Sequence, residues 1–318
     1  MSKKVELRAS TFREKAREAI KGKGKTVFYV GFIYLFFVMI IPTIFDLIFS
    51  GQEKLNLATN NLLNENVIER VKEKGLNSEI VSELQNGMGG NIASLIFTIL
   101  TVGAFIIGVS IFSLAILRKK EDAKIGLLFS GFDIFFKSIR AYVLYSIFVF
   151  LHTLPFILAA VLIITIAILA TSLSILFILT PILFMLAVVF GVIAMFKYSM
   201  AFLIIADDTS ISASQALKKS KDIMKGNKGK LFFLQLSFIG WGLLAILITI
   251  IISVAMSFVV AAAFYFSELA ALIAISILSS IIFAAVFAIL VMYMQIATAA
   301  FYEEIISDDP KKIEKKDE

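Results

Sequence analysis

Residues 212–265 read SASQALKKSKDIMKGNKGK and then LFFLQLSFIGWGLLAILITIIISVAMSFVVAAAFY, so a basic segment runs directly into a long apolar one. The apolar part exceeds the roughly 18 residues that mark a membrane span. Its apolar residues are continuous rather than alternating, which predicts a helix, because a backbone inside lipid must satisfy its own hydrogen bonds. Residues 11–25 read TFREKAREAIKGKGK and also run into an apolar segment. Both stretches predict one module: a basic amphipathic helix, a Lys-Gly break and a membrane span.

The composition of the whole chain is that of a membrane protein. Hydrophobic residues make up 59% of the 318 residues, and the mean hydropathy is +0.94. The absence of cysteine excludes thiolate metal sites and Cys nucleophiles, and a single histidine argues against a His-based metal site. We therefore expect no catalytic residue, no metal and no cofactor. The net charge of +6 is explained by topology rather than by nucleic-acid binding.

The apolar runs predict an all-α polytopic membrane protein with six transmembrane helices. Lys and Arg concentrate before the first span, in 118–140, in 207–230 and after the last span. The positive-inside rule therefore predicts a multi-pass protein of the cell membrane with a cytoplasmic N-terminus and a cytoplasmic C-terminus. The predicted spans are 26–50, 92–117, 139–170, 173–206, 231–265 and 269–302.

We interpret residues 1–318 as a single membrane domain made of repeated units, each an interfacial amphipathic helix followed by a two-span hairpin. A third, fainter copy of the amphipathic helix is predicted at 122–136. The outer loop is expected to hold one or two amphipathic helices broken at Gly75. The predicted parts are an amphipathic helix at 1–25, a first hairpin at 26–117 with an outer loop at 51–91, a second hairpin at 118–206, an amphipathic helix with a third hairpin at 207–302, and a charged cytoplasmic tail at 303–318.

Capping signals predict where the two basic helices begin and end. Thr11 with Glu14, and Ser212 with Gln215, have the spacing of a capping box, in which side chain and backbone bond reciprocally. A glycine just past the last turn is typical of a helix end. The glycines expected to end the two helices are Gly22 and Gly226.

The last four predicted spans are longer than a hydrocarbon core of about 30 Å requires. They are expected to project from the outer face or to break, with Pro155 and Pro181 as kink points. The nearly apolar turns at 170–172 and 267–268 are predicted to pack against each other or against a partner. Small residues four apart allow close approach of helices. These spacings are Ala104 and Gly108; Ser253, Ser257 and Ala261; and Ser280, Ala284 and Ala288.

Several stretches resemble a widespread group of bacterial integral membrane proteins of unknown function, common in Gram-positive organisms. The stretches are REKAREAIKGKGK (13–25), KYSMAFLIIADD (197–208), SASQALKKSKDIMKGNKGKLFFLQLSFIGW (212–241) and FYEE (301–304). The group is similar in layout to the membrane domain attached to some glycerophosphodiester phosphodiesterases. The chain departs from the pattern in 156–195 and 250–280, which lack the family's usual turns. The resemblance implies a membrane protein and does not imply a reaction.

Four polar residues inside the predicted spans are candidate functional groups, because burying such groups in a membrane is costly. His152 is either a proton-responsive group or a hydrogen-bonded structural one. Lys197 is close enough to the cytoplasmic end of its span to extend to the surface. Gln235 and Gln295 are expected to hydrogen-bond across helices.

Charged residues near the span ends form a second group of candidates. Basic residues of the two modules are expected to contact anionic lipid headgroups. The acidic pairs at 207–208 and 303–304 are expected to pair with nearby Lys runs or to cap the amphipathic helix, rather than to bind a cation. The headgroup candidates are Arg13, Arg17, Lys218, Lys219 and Lys221.

Three functions are open from the sequence. The first is a non-enzymatic membrane scaffold or accessory protein, and the second is a binder or carrier of a lipid or other amphiphile in a groove between hairpins. The third, a membrane enzyme, is disfavoured because few carboxylates, one remote histidine and no Gly-rich phosphate loop do not supply convergent ligands. Membrane lipids are the expected partners, with a homo-oligomer or a membrane-protein partner left open.

Overall fold

The computed structural model describes residues 5, 7–44, 78–119, 123–169, 178–263 and 268–307, with the backbone alone at 78–93, 168–169, 261–263 and 268–273. Within these ranges all regular structure is helical. A π-helical segment, Phe36–Ile40, continues the second helix, and a 3-10 helix covers Ile125–Phe132. The α-helices are α1 Ala9–Ile20, α2 Gly24–Leu35, α3 Ser78–Leu117, α4 Phe135–Leu169, α5 Leu179–Tyr198, α6 Ala201–Asp207, α7 Ala213–Ile223, α8 Lys228–Leu236, α9 Ile239–Ala263 and α10 Glu268–Ile306.

Six helical stretches are long and apolar enough to cross a membrane, which confirms the prediction from the apolar runs. The predicted turns at 170–172 and 267–268 fall largely outside the described residues, so their packing stays a prediction. The candidate spans are Gly24–Ile44, Ser94–Leu117, Phe135–Ala167, Leu179–Asp207, Lys228–Val260 and Ala274–Ile306.

The helix that contains the second span is longer than the sequence predicts. It is continuous over Ser78–Leu117, so residues 78–91 of the predicted outer loop are helical. The predicted break at Gly75 lies outside the described residues.

The fourth and fifth spans are broken, but not at the prolines. The fourth breaks at Ser199–Met200, between α5 and α6, and the fifth at Ser237–Phe238, between α8 and α9. Helix α4 continues through Pro155. Pro181 lies in the first turn of α5, where the missing N–H has no partner to lose. We call the two interruptions the Ser199 break and the Ser237 break.

The start of α1 differs from the prediction. The helix begins at Ala9, and the preceding Arg8 provides no side-chain cap. The backbone N–H of Thr11 already donates to the Arg8 carbonyl over 3.1 Å, so Thr11 lies inside the first turn. The predicted capping box at Thr11 is therefore wrong.

The other predicted helix boundaries of the modules agree with the structure. At the start of α7, the side chain of Ser212 caps the N–H of Gln215 while the Gln215 side chain bonds the Ser212 N–H. Gly22 and Gly226 follow α1 and α7 with φ of +82° and +81°. Glycine has no Cβ to clash in this left-handed conformation, so it ends a helix at little cost.

The predicted third amphipathic helix is a 3-10 helix, Ile125–Phe132, packed backbone to backbone on α3. A Cβ added to Gly131 would lie 1.9 Å from the Ala104 carbonyl oxygen, and one added to Gly108 would lie 1.8 Å from that of Leu128. The small residues Ala104 and Gly108 thus allow α3 to pack closely against this 3-10 helix.

The chain divides into two compact units. In the second unit, which contains α2 and the first part of α10, Leu35, Ile40 and Ala284 form a buried cluster. A Cβ added to Gly31 would lie 2.2 Å from the carbonyl oxygen of Ala288, so α2 and α10 approach closely there. The first unit contains Met1–Lys23, Gly103–Ile239 and Tyr293–Glu318, and the second contains Gly24–Val102 and Gly240–Met292.

Candidate functional site

Arg118, directly after α3, binds the ends of two other candidate spans. Its Nη2 lies 2.6 Å from Oδ1 of Asp207, the last residue of α6, and 2.5 Å from Oε1 of Glu303 in α10. Its Nε donates to the same Glu303 oxygen over 2.8 Å. The hydroxyl of Tyr302 donates to Oδ2 of Asp207 over 3.1 Å. We call these four residues the Arg118 cluster, in which one guanidinium ties the ends of the second, fourth and sixth spans.

The Arg118 cluster is only partly shielded from solvent. The side chains of Arg118, Asp207 and Glu303 are 31%, 12% and 34% exposed. Burial disfavours the charged guanidinium, but the hydrogen bond to Asp207 and the charges of Glu303 and Asp207 outweigh it and raise the pKa of Arg118 above its usual value. The cluster therefore favours the charged form of the guanidinium. The sequence led us to expect Lys runs as partners of these carboxylates, whereas an arginine fills that role.

The other two residues of the acidic pairs also have partners. Glu304 lies 3.6 Å from the ammonium of Lys15 on α1. The carboxylate of Asp208 accepts hydrogen bonds from the N–H and the hydroxyl of Ser210, over 2.9 and 2.6 Å. Among the residues that the structure describes, no group of three or more His, Asp or Glu side chains is placed to hold a metal ion.

Helix α7 provides hydrogen-bond partners for the backbone at the Ser199 break. A break leaves backbone N–H and C=O groups without helical partners, and each must be satisfied elsewhere. The buried Ser220 of α7 does this twice. Its Oγ accepts from the Met200 N–H over 3.2 Å and donates to the Lys197 carbonyl over 3.2 Å.

Helix α1 contacts the Ser237 break in a similar way. Nη1 of Arg13 donates to the Ser237 carbonyl over 3.3 Å, and the Tyr293 hydroxyl donates to the Arg13 carbonyl over 3.0 Å. Phe12 packs edge-on against Phe301, with ring centroids 5.3 Å apart. Each basic helix therefore supplies a donor to a span that is interrupted.

Two of the predicted intramembrane groups come together. Nζ of Lys197 on α5 lies 3.1 Å from Nε2 of His152 on α4, and Nδ1 of His152 lies 2.6 Å from the Phe148 carbonyl oxygen. The Lys197 ammonium also lies 5.1 Å from the centroid of the Tyr198 ring. We call His152 and Lys197 the Lys-His pair.

The two glutamines differ in their contacts. Nε2 of Gln235 on α8 donates to the Thr298 hydroxyl on α10 over 2.9 Å, a hydrogen bond between two spans. Gln295 is half-buried and makes no side-chain hydrogen bond within the part of the chain that the structure describes.

The headgroup candidates lie on α1 and α7 and differ in exposure. Arg17, Lys218 and Lys221 are exposed, and Lys219 is half-buried, as is Arg13, which bonds the Ser237 break. At the end of α7, the ammonium of Lys225, two residues past the helix, pairs with Asp222 over 3.0 Å, and that hydrogen bond lowers the pKa of the Asp222 carboxyl. A shallow cavity of about 540 Å³ beside α7 is lined by residues that include Asp208, Gln215 and Lys218, and it contains neither member of the Lys-His pair.

These observations define a helical protein with six candidate membrane spans, whose charged residues cluster at span ends and at span breaks. The chain belongs to the family described as protein of unknown function (DUF975), whose model matches residues 1–309. No curated protein and no solved structure matches the chain. The resemblance to a membrane protein family of unknown function is therefore confirmed at the level of the family, and nothing supports the similarity to the phosphodiesterase membrane domain.

Proposed function

We propose that the protein is a non-enzymatic scaffold or accessory protein of the cell membrane, with both termini in the cytoplasm. The observation that carries this proposal is the Arg118 cluster, in which the charges at three span ends are engaged with one another. Such a network fixes helix ends, and it leaves those groups less available for a substrate.

The two modules support the same proposal. Ser220 and Arg13 bind backbone groups at the Ser199 and Ser237 breaks, so the two helices that carry the five headgroup candidates are hydrogen-bonded to the spans. A carrier that alternates between two states needs an element that releases such contacts during its cycle. A scaffold keeps them.

Two alternatives stay open as proposals of lower rank. A binder of a lipid or other amphiphile is favoured by the Lys-His pair, a cation inside a candidate span. A membrane enzyme is disfavoured by composition, because a chain with one histidine and no cysteine offers few groups for acid–base or nucleophilic chemistry.

A distance measurement between the two modules tests the proposal. The chain has no cysteine, so cysteines introduced at the exposed positions Glu18 on α1 and Ser214 on α7 take nitroxide labels without background. Pulsed electron paramagnetic resonance of the labelled protein in lipid nanodiscs is expected to give one narrow distance distribution. The distribution should not change when fatty acid, lysolipid or phospholipid is added.

The variant Arg118→Gln in the same labelled background is the matched control, and its distribution is expected to broaden. Two distance populations in the unmodified background, with an amphiphile shifting their ratio, would contradict a scaffold and favour a carrier.

A further inference from the structure

The positive charge of the Lys-His pair is the ammonium of Lys197. The Phe148 carbonyl can only accept a hydrogen bond, so Nδ1 of His152 donates to it, and Nε2 is left to accept a hydrogen bond from the Lys197 ammonium.

This cation lies among aromatic rings, and no carboxylate of the described residues pairs with it. Tyr198 stacks on Phe148 with centroids 5.4 Å apart, and its ring lies 6.2 Å from that of His152. Within the described residues Lys197 forms no salt bridge, in contrast to Arg118 and Lys15. An uncompensated charge inside a span is costly, and a cation–π contact offsets only part of that cost.

The pair is accessible from outside the protein, on an apolar surface. His152 and Lys197 are both half-buried. One and two turns before Lys197 on the same face of α5, Ile193 and Phe190 are 42% and 41% exposed. Phe190 contacts the half-buried Phe156 of α4 with ring centroids 4.6 Å apart, so an apolar surface continues from the pair toward the middle of the two spans.

The break beside Lys197 places polar groups at the other end of this surface. The carbonyl of Lys197 is bound by Ser220 of α7, and the next residue of α7, Lys221, is exposed. A cationic pair with basic residues on one side and an apolar strip on the other matches an acidic amphiphile, with its charged group at the pair and its chain along α4 and α5.

We propose that Lys197 and His152 form a binding site for the phosphate group of an anionic membrane phospholipid. The phosphate accepts a hydrogen bond from the Lys197 ammonium and supplies the negative charge that the described residues lack beside it. The acyl chain of the lipid lies over Phe190 and Ile193. This inference is independent of a scaffold function, since a lipid held at this site does not require transport.

Selective labelling tests the site directly, because His152 is the single histidine of the chain. Protein labelled with ¹⁵N-histidine is placed in bilayers of phosphatidylcholine alone or mixed with phosphatidylglycerol, and the two ring nitrogens are followed by solid-state NMR. We expect phosphatidylglycerol to shift the Nε2 signal. Nε2 accepts a hydrogen bond from the Lys197 ammonium, and a bound phosphate would compete for the same ammonium. The shift should persist at high salt, which screens general surface charge but not a direct contact.

Native mass spectrometry of the full chain gives a second, independent readout. Replacing the cation, as in Lys197→Gln, is expected to weaken retention of phosphatidylglycerol about tenfold, the effect of one charge-assisted hydrogen bond. Lys197→Arg should restore retention, and the control Lys119→Gln, at an exposed lysine outside the pair and outside both modules, should leave most of it intact.

Three outcomes would overturn the proposal. The first is an identical His152 spectrum with and without phosphatidylglycerol. The second is the same shift with inorganic phosphate in pure phosphatidylcholine, which would indicate a site for a free anion rather than for a lipid. The third is equal retention of phosphatidylglycerol by Lys197→Gln and the unmodified protein.

Discussion

Replacing Arg118 by glutamine is expected to loosen three span ends together. Glutamine keeps a polar side chain of moderate length but removes the charge and the forked donors. It leaves Asp207 with the Tyr302 hydroxyl as its remaining partner in the cluster, and it leaves the Glu303 carboxylate without its guanidinium.

The structure sets the size of the effect. A hydrogen bond to a charged group contributes about 1.5–3 kcal/mol when buried, whereas an exposed ion pair contributes about 0–1 kcal/mol. The guanidinium makes three such bonds, but roughly a third of its side chain is exposed, and so is that of Glu303. We therefore expect Arg118→Gln to lower the free energy of unfolding by about 2 kcal/mol.

Unfolding in mixed micelles, followed by far-ultraviolet circular dichroism as the denaturing detergent is titrated, measures this loss. The double variant Arg118→Gln, Glu303→Gln should lose less than the sum of the single variants, because the two side chains share one interaction, with a coupling of about 1 kcal/mol. A stability of Arg118→Gln within about 0.5 kcal/mol of the parent, the range of an ordinary surface substitution, would refute the role given to the cluster.

Two further substitutions probe the packing. Gly108→Ala places a Cβ 1.8 Å from the Leu128 carbonyl oxygen and should cost about 1–3 kcal/mol or more in the same unfolding assay, whereas Gly126→Ala, with no heavy atom within 4 Å of the new Cβ, should be close to neutral. Ser220→Ala removes both contacts to the Ser199 break and should cost about 1–3 kcal/mol, whereas the exposed Ser214→Ala should stay within about 0.5 kcal/mol. Equal effects in either pair would show that the packing at Gly108 or the role of Ser220 is wrongly described.

The six candidate spans could be predicted from the sequence because they depend on local properties. An uninterrupted apolar run must be helical wherever it enters lipid, whatever packs against it. The capping box at Ser212 and the glycines at 22 and 226 are equally local. The Thr11 box failed because α1 begins three residues earlier than the box predicts, with a backbone hydrogen bond from Thr11 to the Arg8 carbonyl. The spacing of Thr and Glu does not reveal this bond.

The breaks in the spans could not be predicted, although a weak signal is present. At each break a serine hydroxyl donates to the carbonyl three residues earlier, Ser199 to Phe196 over 2.9 Å and Ser237 to Leu234 over 2.6 Å. Ser257 makes the same bond, to Val254, inside the unbroken α9. Serine in an apolar run is therefore insufficient, and the broken spans differ in that a donor from α1 or α7 reaches the freed backbone.

The Arg118 cluster and the Lys-His pair were beyond sequence reasoning for a similar reason. The acidic residues at 207 and 303 were evident, but their shared partner is near neither of them in the chain. His152 and Lys197 were each recognised as unusual inside a span. Their contact depends on the pairing of α4 with α5 at one register, which the apolar sequence of both helices leaves undetermined.

The sidedness of the two modules is the decisive measurement, because the proposed topology has both basic helices on the cytoplasmic face of a six-span protein. Single cysteines at Glu18, at Ser214 and at Gln52 in the predicted outer loop are treated with a membrane-impermeant maleimide before and after cells are permeabilised. We expect the Gln52 position to react in intact cells and the Glu18 and Ser214 positions to react only after permeabilisation. Reaction of either module in intact cells would contradict this topology.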